Sequence, residues 1–236
     1  MTIQEYALNS LKLRTGIDFI LIDEAVSQSD NGDLCRIIYS GGKLAVFCRD
    51  EHRKPLLGLL RSVNVKEAIK SPELYVEVLN AIGLDPAEYP FEPAYNAGGK
   101  VYKCCHTVEY VCDAKNFRLI PDYRKITVIY PGEPDYLPID GFSEIYAVYE
   151  GGKMASNSYY RPNIGEFSGT NAMNVWTHKS FHRRGYGITA AAAATRSIVN
   201  KNELALWVSY ADNAASRRIA EALGYEFIGG ELRIKE

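Results

Sequence analysis

The sequence lacks the features by which several large classes of protein are recognised. Its 236 residues contain no run of 18 apolar residues, so we predict no transmembrane helix and no membrane association. The formal net charge is −2 and the isoelectric point is near 6.1. Because binding to a phosphate backbone usually requires a basic domain, we also expect no nucleic-acid partner.

Cysteine is scarce and poorly spaced for disulfides or zinc. The five cysteines are an odd number, and the adjacent pair Cys104-Cys105 replaces the C-x-x-C spacing of common zinc ligands. We expect reduced, buried cysteines and no metal, although His106 beside the pair leaves a metal site as an alternative. The first residues, Met1 to Tyr6, are polar and lack the core of a signal peptide. These features together predict a cytoplasmic protein.

What is present is a mixture of helical and extended segments. Residues 125–130 look extended, and from residue 144 the order is hairpin, strand, helix, strand, helix, strand, which indicates a mixed central β-sheet flanked by helices. Residues 1–125 also combine helices and strands but contain no motif with an assignable role. Within them, extended runs at residues 34–39 and 44–48 joined by Ser40-Gly41-Gly42 predict a hairpin, and a helical region is predicted from about Pro55 to Ile82 with a break near Ser71-Pro72. We therefore predict an α/β (α+β) fold, with an N-terminal α+β domain over residues 1–125 and a second domain over residues 126–236.

The most informative stretch is residues 175–187. It is predicted as the end of a strand, a short loop over residues 178–184, the pair Gly185 and Gly187, and the start of an alanine-rich helix that runs from residue 186 to about residue 199. Two glycines at this junction allow backbone amides to converge, and the N-terminus of the helix adds a positive dipole end. Three residues with cationic or potentially cationic side chains precede the glycines: His182, Arg183 and Arg184. The pattern predicts an anion site.

Three other interpretations fit this loop less well. Gly185, Gly187 and Ala190 satisfy the dinucleotide fingerprint, but a basic loop of seven residues separates the glycines from the strand. A P-loop requires Lys and Ser or Thr after its last glycine, and neither follows here. Glycines that merely end a loop would explain the turn but not the three cationic residues beside it.

The loop resembles the acyl-CoA-binding loop of the GNAT superfamily of N-acyltransferases, whose pattern is Arg/Gln-x-x-Gly-x-Gly/Ala. Here it stands as His182-Arg183-Arg184-Gly185-Tyr186-Gly187, so a weaker cation occupies its first position. A second family block, an Asn followed by a helix and Leu-Gly-aromatic, stands as Asn213, residues 214–222 and Leu223-Gly224-Tyr225. The resemblance covers about residues 142–234.

The resemblance implies that this protein binds acetyl-CoA as a co-substrate. Backbone groups of Val175 and Thr177 would hydrogen-bond the pantetheine arm as a neighbouring strand would. Asn213 and Ser216 would line the far side of the pantetheine channel, and Asn213 is equally suited to cap a helix. The pyrophosphate would lie in the loop formed by His182, Arg183, Arg184, Gly185, Tyr186, Gly187 and Ile188.

Catalytic residues are less clearly indicated. Direct acyl transfer requires removal of a proton from the amine and protonation of the departing thiolate. Many GNAT enzymes use a Tyr seven residues after the Asn for the second task, and that position here is Ala220. Tyr210 and Tyr186 are the candidate replacements, and His178 is the nearest titratable base. Packing roles for the tyrosines, and phosphate binding for His178, are the alternatives.

The sequence thus predicts an N-acetyltransferase that moves an acetyl or short acyl group from acetyl-CoA to a primary amine of a small molecule or peptide. The alternative, favoured by Ala220, is a non-catalytic GNAT-fold module that binds acyl-CoA as a sensor or scaffold. The acceptor pocket is expected between the N-terminal half and the hairpin of residues 144–160, with Tyr159 and Tyr160 at its end. A homodimer is compatible with this prediction. Residues 1–125 would fit a degenerate companion half of the same fold.

Overall fold

The computed structural model describes residues 1–17, 24–28, 33–90, 104–121, 124–136 and 144–235. These residues fall into two compact units. The C-terminal unit comprises Met1–Ile3, Tyr110–Val208 and Ala215–Phe227, and the N-terminal unit comprises Gln4–Glu109, Ser209–Ala214 and Ile228–Glu236. The domain boundary at residues 125 and 126 stays a prediction.

Helices and strands occur in both units, and short 3₁₀ turns at Gly165–Phe167 and Lys179–Phe181 flank the strand Thr170–Thr177. The α-helices of the described residues are α1 (Ile3–Thr15), α2 (Asp50–Ser62), α3 (Val65–Ala68), α4 (Glu73–Ala81), α5 (Tyr186–Val199) and α6 (Ala214–Ala222). The strands are β1 (Glu24–Gln28), β2 (Asp33–Ser40), β3 (Lys43–Cys48), β4 (Cys104–Cys112), β5 (Ile126–Ile129), β6 (Ile145–Glu150), β7 (Lys153–Pro162), β8 (Thr170–Thr177), β9 (Leu204–Tyr210) and β10 (Glu226–Lys235).

In the N-terminal unit the strands follow the order β1-β3-β2-β10-β4. β1 runs parallel to β3, whereas β2 is antiparallel to both β3 and β10. The predicted hairpin between β2 and β3 is confirmed, and Gly41 and Gly42 form its turn with φ angles of 58° and 86°. Positive φ at both central residues is the geometry that a two-residue hairpin turn requires. Local turn chemistry therefore sets this register.

The helical region after β3 differs from the prediction. We expected one helical region from Pro55 to Ile82 with a break near Ser71-Pro72, but α2 begins at Asp50 and ends at Ser62, before the separate helices α3 and α4. Pro55 lies inside α2 rather than at its start. Proline removes only one backbone donor, and burial of Leu56 and Leu60 along one side of α2 outweighs that loss.

In the C-terminal unit the strands follow the order β9-β8-β7-β6-β5. Each adjacent pair from β5 to β8 is antiparallel, whereas β8 and β9 are parallel. Helix α5 covers one side of these strands, where Val148, Ala155, Tyr186 and Ala190 form a buried cluster. The five alanines of residues 190–194 are all buried, and their small side chains allow the helix axis to approach the sheet closely.

The predicted fold class is confirmed, because mixed β-sheet is combined with packed helices in both units. The predicted span of α5, residues 186–199, agrees with the structure at both ends. Among the described helices, none is both long enough and apolar enough to cross a bilayer.

Candidate functional site

Strands β8 and β9 pair over only part of their length. In the described residues their parallel register joins three pairs, from Thr170 and Leu204 to Ala172 and Leu206. β8 continues to Thr177 and remains paired with β7 along that stretch. The two parallel strands therefore diverge beyond Ala172, which leaves one edge of β8 open to an extended ligand.

The open edge carries backbone groups of Val175 and Thr177. The carbonyl oxygens of Trp176 and Asn174 point toward β7, where the hydroxyl groups of Ser156 and Ser158 donate to them at 2.6 Å and 2.7 Å. Because backbone groups alternate in direction along a strand, those of Val175 and Thr177 point toward the open edge. This geometry fits the hydrogen bonds predicted for them with a pantetheine arm.

Helix α5 begins directly beside the end of β8. Gly185 precedes the helix with φ = 80°, a conformation that favours glycine. At Gly187 an added Cβ would lie 2.8 Å from Thr177 Oγ1 and 3.5 Å from Ile219 Cδ1, so only glycine allows this approach. The helical hydrogen bonds start at Thr189 N, which donates to Gly185 O at 3.1 Å. The preceding amides lack partners within the helix, which is the arrangement that the predicted anion site requires.

His182 does not extend into the loop as a separate cation. Its Nε2 lies 3.0 Å from the carbonyl oxygen of Thr177, and since that oxygen can only accept, Nε2 donates. The imidazole is therefore hydrogen-bonded to one of the backbone groups on the open edge of β8. A carbonyl oxygen has two lone pairs, so Thr177 O keeps one acceptor position for a ligand while it accepts from the imidazole.

His178 caps the 3₁₀ turn that follows β8. Its Nδ1 accepts a hydrogen bond from the backbone N–H of Ser180 at 3.2 Å. In a neutral imidazole the acceptor nitrogen is then Nδ1 and the donor is Nε2. The catalytic role of His178 stays a prediction, and this geometry favours a capping role instead.

The cations around the start of α5 include one that sequence reasoning missed. Arg183 and Arg184 are exposed, and the Arg184 guanidinium carbon lies 5.7 Å from the centre of the Phe181 ring. The guanidinium carbon of Arg124 lies 5.2 Å from the ring centre of Tyr186. Arg124 lies about sixty residues before the loop in the sequence, and no local motif marks it.

Tyr186 is a packing residue in this structure. It is buried in the cluster beneath α5, and its ring makes an edge-to-face contact with Phe181 at 5.6 Å. Ile188 is half-buried one residue further along the helix, beyond Gly187. The backbone amides of all three residues belong to the N-terminal turn of α5, as the predicted phosphate-binding role requires.

The residues predicted for the far side of the channel divide between the two units. Ser216 lies in the C-terminal unit, where its Oγ accepts a hydrogen bond from the buried Trp207 indole at 2.9 Å. This bond attaches α6 to β9. Tyr210 and Asn213 belong to the N-terminal unit, and Asn213 N donates to Tyr210 O at 3.1 Å. Their catalytic and binding roles stay predictions.

Tyr159 and Tyr160 point to opposite sides of β7. Tyr160 is only 1% exposed, and its hydroxyl accepts a hydrogen bond from Lys201 Nζ at 2.8 Å. This bond raises the pKa of Lys201. Tyr159 is half-buried and packs against the cluster that contains Ile145. Only Tyr159 of the two is available to an open pocket.

The cysteine-rich segment has internal partners. The Tyr75 hydroxyl donates to Cys104 Sγ at 3.3 Å, and His106 Nε2 lies 2.8 Å from Ile69 O. Burial raises the pKa of the Cys112 thiol to about 12. Such contacts are typical of structural rather than reactive thiols. The described residues contain no group of three or more His, Cys, Asp or Glu arranged to hold a metal ion.

Residues 159–234 match a family model described as FR47-like protein. The resemblance to the GNAT superfamily is confirmed over this part of the chain, which contains the glycine loop, β9, α6 and the Leu223-Gly224-Tyr225 block. The matched segment is about a third of the chain. None of the curated proteins compared with the chain matches it.

Solved structures that match the chain include several described as GNAT proteins. A GNAT-family acetyltransferase from Colwellia psychrerythraea is 9% identical, with 55% of each chain covered and a TM-score of 0.44. A GCN5-related N-acetyltransferase from Kribbella flavida is 17% identical, with 55% of this chain and 57% of that one covered and a TM-score of 0.39. A tandem GNAT protein from the clavulanic acid biosynthesis pathway is 12% identical, with 55% of this chain and 53% of that one covered and a TM-score of 0.40. The matches thus span little more than half of these proteins.

Proposed function

We propose that this protein is an acyl-CoA-dependent N-acyltransferase, which transfers an acetyl or short acyl group from acetyl-CoA to a primary amine of a small molecule or peptide. One observation carries the proposal: the open edge of β8 and the amide-rich start of α5 meet at Thr177 and Gly187. The two residues are so close that a Cβ added at Gly187 would lie 2.8 Å from Thr177 Oγ1. An extended amide-containing arm that ends in a pyrophosphate matches both features together.

In this proposal, the strand edge and the helix terminus recognise different parts of acetyl-CoA. Backbone groups of Val175 and the N–H of Thr177 would bond the pantetheine amides in the manner of an added strand. The amides of Gly187 and Ile188 would hold the pyrophosphate, with Arg183 and Arg184 supplying full charge.

We assign the chemistry to direct transfer. The amine nitrogen would attack the thioester carbonyl carbon, so that the C–N bond forms as the C–S bond breaks. The amine proton would leave to His178 or to water; in this structure the acceptor nitrogen of His178 is bonded to Ser180 N–H. The departing thiolate would take a proton from Tyr210, which replaces the tyrosine that many GNAT enzymes carry at the position of Ala220. Such a general acid typically contributes about 10²-fold or more to the rate.

A second candidate function is a non-catalytic acyl-CoA sensor or scaffold. Ala220 is fully buried, so the usual acid position holds a packing residue. A sensor would retain the loop and the strand edge but would not release thiol. Cytoplasmic location, a small-molecule or peptide amine as acceptor, and a homodimeric state also remain proposals from the sequence.

The test combines binding and turnover on the full chain. Calorimetry with acetyl-CoA should give saturable binding, and a thiol-release assay with a panel of amines should give turnover with at least one of them. Absence of acetyl-CoA binding would refute both candidate functions. Binding without thiol release from any amine would favour the sensor.

A loop variant must avoid the packing between β8 and α5. Replacing Gly187 would push a side chain against Thr177 and disturb the fold, so loss of binding in that variant would be ambiguous. At Gly185 an added Cβ meets nothing within 4 Å, although φ is 80°. Gly185→Ala should therefore weaken acetyl-CoA binding by straining the amides, at a backbone cost of about 1 kcal/mol.

A further inference from the structure

Helix α5 covers one side of the strands β7 and β8. The Tyr160 hydroxyl of β7 lies 3.4 Å from Ser197 Oγ of α5, and Thr177 of β8 faces the start of the same helix. Since side chains alternate along a strand, Arg161 and Ala172 project to the opposite side of the sheet. A ligand can approach these two residues from that side without meeting α5.

The acyl end of the proposed acetyl-CoA complex lies close to Ala172. An arm bound along the open edge of β8 from Thr177 to Ala172 would cover five residues, or about 17 Å at about 3.3 Å per residue. Its thioester would then lie where β8 and β9 diverge, beside the paired residues Ala172 and Leu206. An acceptor in a direct transfer must place its nitrogen there, and not beside Thr177 at the pyrophosphate end.

The side of β8 opposite α5 is exposed at this point. β8 is an inner strand with β7 and β9 as its neighbours in the sheet, yet both Ala172 and Asn174 are exposed. Val208 follows Leu206 by two residues on β9 and therefore shares its side of the strand, and it is 59% exposed. Because an alanine has no atoms beyond Cβ, Ala172 leaves room for a small molecule above the strand.

Arg161 supplies a positive charge to this surface. In the register of β7 and β8 it lies directly opposite Ala172. Opposite residues in an antiparallel pair have Cα atoms about 4.5–5.5 Å apart and side chains on the same side, so the guanidinium can reach a group bound over Ala172. The side chain is exposed, and it makes no hydrogen bond, ion pair or ring contact among the described residues.

We infer that the acyl acceptor is a primary amine with a carboxylate close to its nitrogen, as in a free amino acid, and that Arg161 binds this carboxylate. The planar guanidinium matches a carboxylate with two parallel hydrogen bonds. One carbon separates the two groups of an α-amino acid, so its nitrogen then lies over Ala172 beside the thioester. The inference rests on the proposed function, because it names the acceptor class for that reaction.

Matched pairs of acceptors test the carboxylate on the unmodified protein. Each of the common amino acids is compared with its α-amide in the thiol-release assay, beginning with glycine and glycinamide. We expect at least one amino acid to give a kcat/KM at least about tenfold greater than that of its amide. The α-amide of aspartate, which keeps only the side-chain carboxylate, distinguishes a free amino acid from a peptide with an acidic first residue. Equal values for acids and amides would overturn the inference, as would acetyl-CoA binding without thiol release from any amino acid.

Arg161→Met tests the cation, because methionine keeps much of the apolar stem and removes the charge. The KM for the preferred amino acid should rise at least about tenfold. The kcat/KM for its amide, the Kd for acetyl-CoA and the melting temperature should not change, and Arg161→Lys should restore part of the affinity. An equal loss for the amino acid and its amide would show that Arg161 has a structural role and would refute the proposal.

Lys153→Met is the matched control. Lys153 is exposed at the opposite end of β7, so this variant removes the same charge from the same strand. Its KM for the preferred amino acid should equal that of the unmodified protein, and a rise equal to that of Arg161→Met would refute the inference. Normal acetyl-CoA binding with no effect of Arg161→Met would refute this inference alone, whereas no acetyl-CoA binding by the unmodified protein would refute the proposed function.

Discussion

The two compact units use their charged side chains differently. In the N-terminal unit, cations on the strands are paired: Arg36 Nε lies 2.7 Å from Glu231 Oε1, and Arg233 Nε lies 2.9 Å from Asp33 Oδ1. In the C-terminal unit, Arg183 and Arg184 are exposed, and no carboxylate pairs with either among the described residues. A cation that is not neutralised internally is available for an anionic ligand.

Pairing in the N-terminal unit extends to buried groups. Glu109 receives a hydrogen bond from the Tyr6 hydroxyl at 2.7 Å and one from Arg14 at 3.2 Å. Burial, together with the charge of Glu109, raises the pKa of Tyr6 far above its ordinary value. All of these groups satisfy one another, so the network stabilises the unit and leaves little capacity for a ligand. Under the proposed function, we therefore expect the C-terminal unit to supply the charge for ligand binding, and the paired charges of the N-terminal unit to contribute mainly to stability.

Tyr210 offers the strongest challenge to this comparison, because it is a predicted catalytic residue in the N-terminal unit. If its hydroxyl protonates the leaving thiolate, Tyr210→Phe should lower kcat by about 10²-fold. The ring is retained, so the Kd for acetyl-CoA and the melting temperature should change little. Steady-state thiol release, calorimetry and thermal unfolding measure these quantities.

Tyr225→Phe provides the control for that variant. Tyr225 is buried, and its hydroxyl lies 2.8 Å from Thr195 Oγ1. Its loss should lower stability by about 1 kcal/mol and leave kcat unchanged. If Tyr210→Phe behaves like Tyr225→Phe, Tyr210 is a packing residue and the N-terminal unit contributes no acid.

The loop arginines should show the next largest effect. Arg183→Ala combined with Arg184→Ala should weaken acetyl-CoA binding at least about tenfold, because two charge-assisted contacts to phosphate are lost. Comparison of CoA with dephospho-CoA by calorimetry sharpens the assignment. A greater loss for CoA would indicate contact with the 3′-phosphate, and an equal loss would indicate the pyrophosphate.

The matched control removes the same charge from the same unit. Lys115 and Lys153 are exposed and lie outside the loop, so Lys115→Ala combined with Lys153→Ala tests the general field of the surface. An effect equal to that of the arginine variant would mean that charge alone, rather than the loop geometry, supports binding.

Replacement of a paired arginine in the N-terminal unit should lower the stability of the protein and leave its affinity for acetyl-CoA unchanged. Arg36→Met breaks a partly buried pair with Glu231 and should lower the free energy of unfolding by about 1–3 kcal/mol. Arg61→Met is the control, since its pair with Glu24 is exposed and 3.8 Å long, and it should cost less than about 0.5 kcal/mol. Denaturant unfolding measures both. Equal effects of the two variants would contradict the structural importance given to Arg36.

The smallest expected effect concerns a carboxylate in the C-terminal unit. Burial of Glu144 opposes ionisation, but hydrogen bonds from Tyr146 and Tyr160 and the charge of Lys201 hold its pKa below the ordinary value. Its contribution to stability is therefore present above the unfolded pKa and is lost as pH falls through the folded pKa. Glu144→Gln should lower stability by less than about 1 kcal/mol at neutral pH, and this difference should shrink on acidification.

Unfolding curves of Glu144→Gln at neutral and acidic pH test that sign directly. A difference from the unmodified protein that grows as pH falls would show that the carboxylate is not stabilised by its neighbours.

Part of the candidate site was predictable because its signals are local. Gly185 needs a positive φ, and the alanine-rich stretch after it needs a helix, so the residues from Gly185 to Val199 are specified by neighbours in the sequence. The family block at Leu223-Gly224-Tyr225 is local in the same sense. The contacts of His182 and His178 were not predictable, because each depends on where the end of β8 lies.

The sequence by itself determined the fold class, the hairpins and the span of α5, since these follow from turn chemistry and from the period of short segments. Only the tertiary structure decided that β8 and β9 diverge after Ala172, that Arg124 approaches Tyr186, and that Asn157 keeps an unpartnered oxygen. It also grouped residues 228–236 with a unit that begins at Gln4. Such features arise from pairing and packing between segments that are distant in the sequence. The composition or periodicity of one segment does not specify which other segment it will contact.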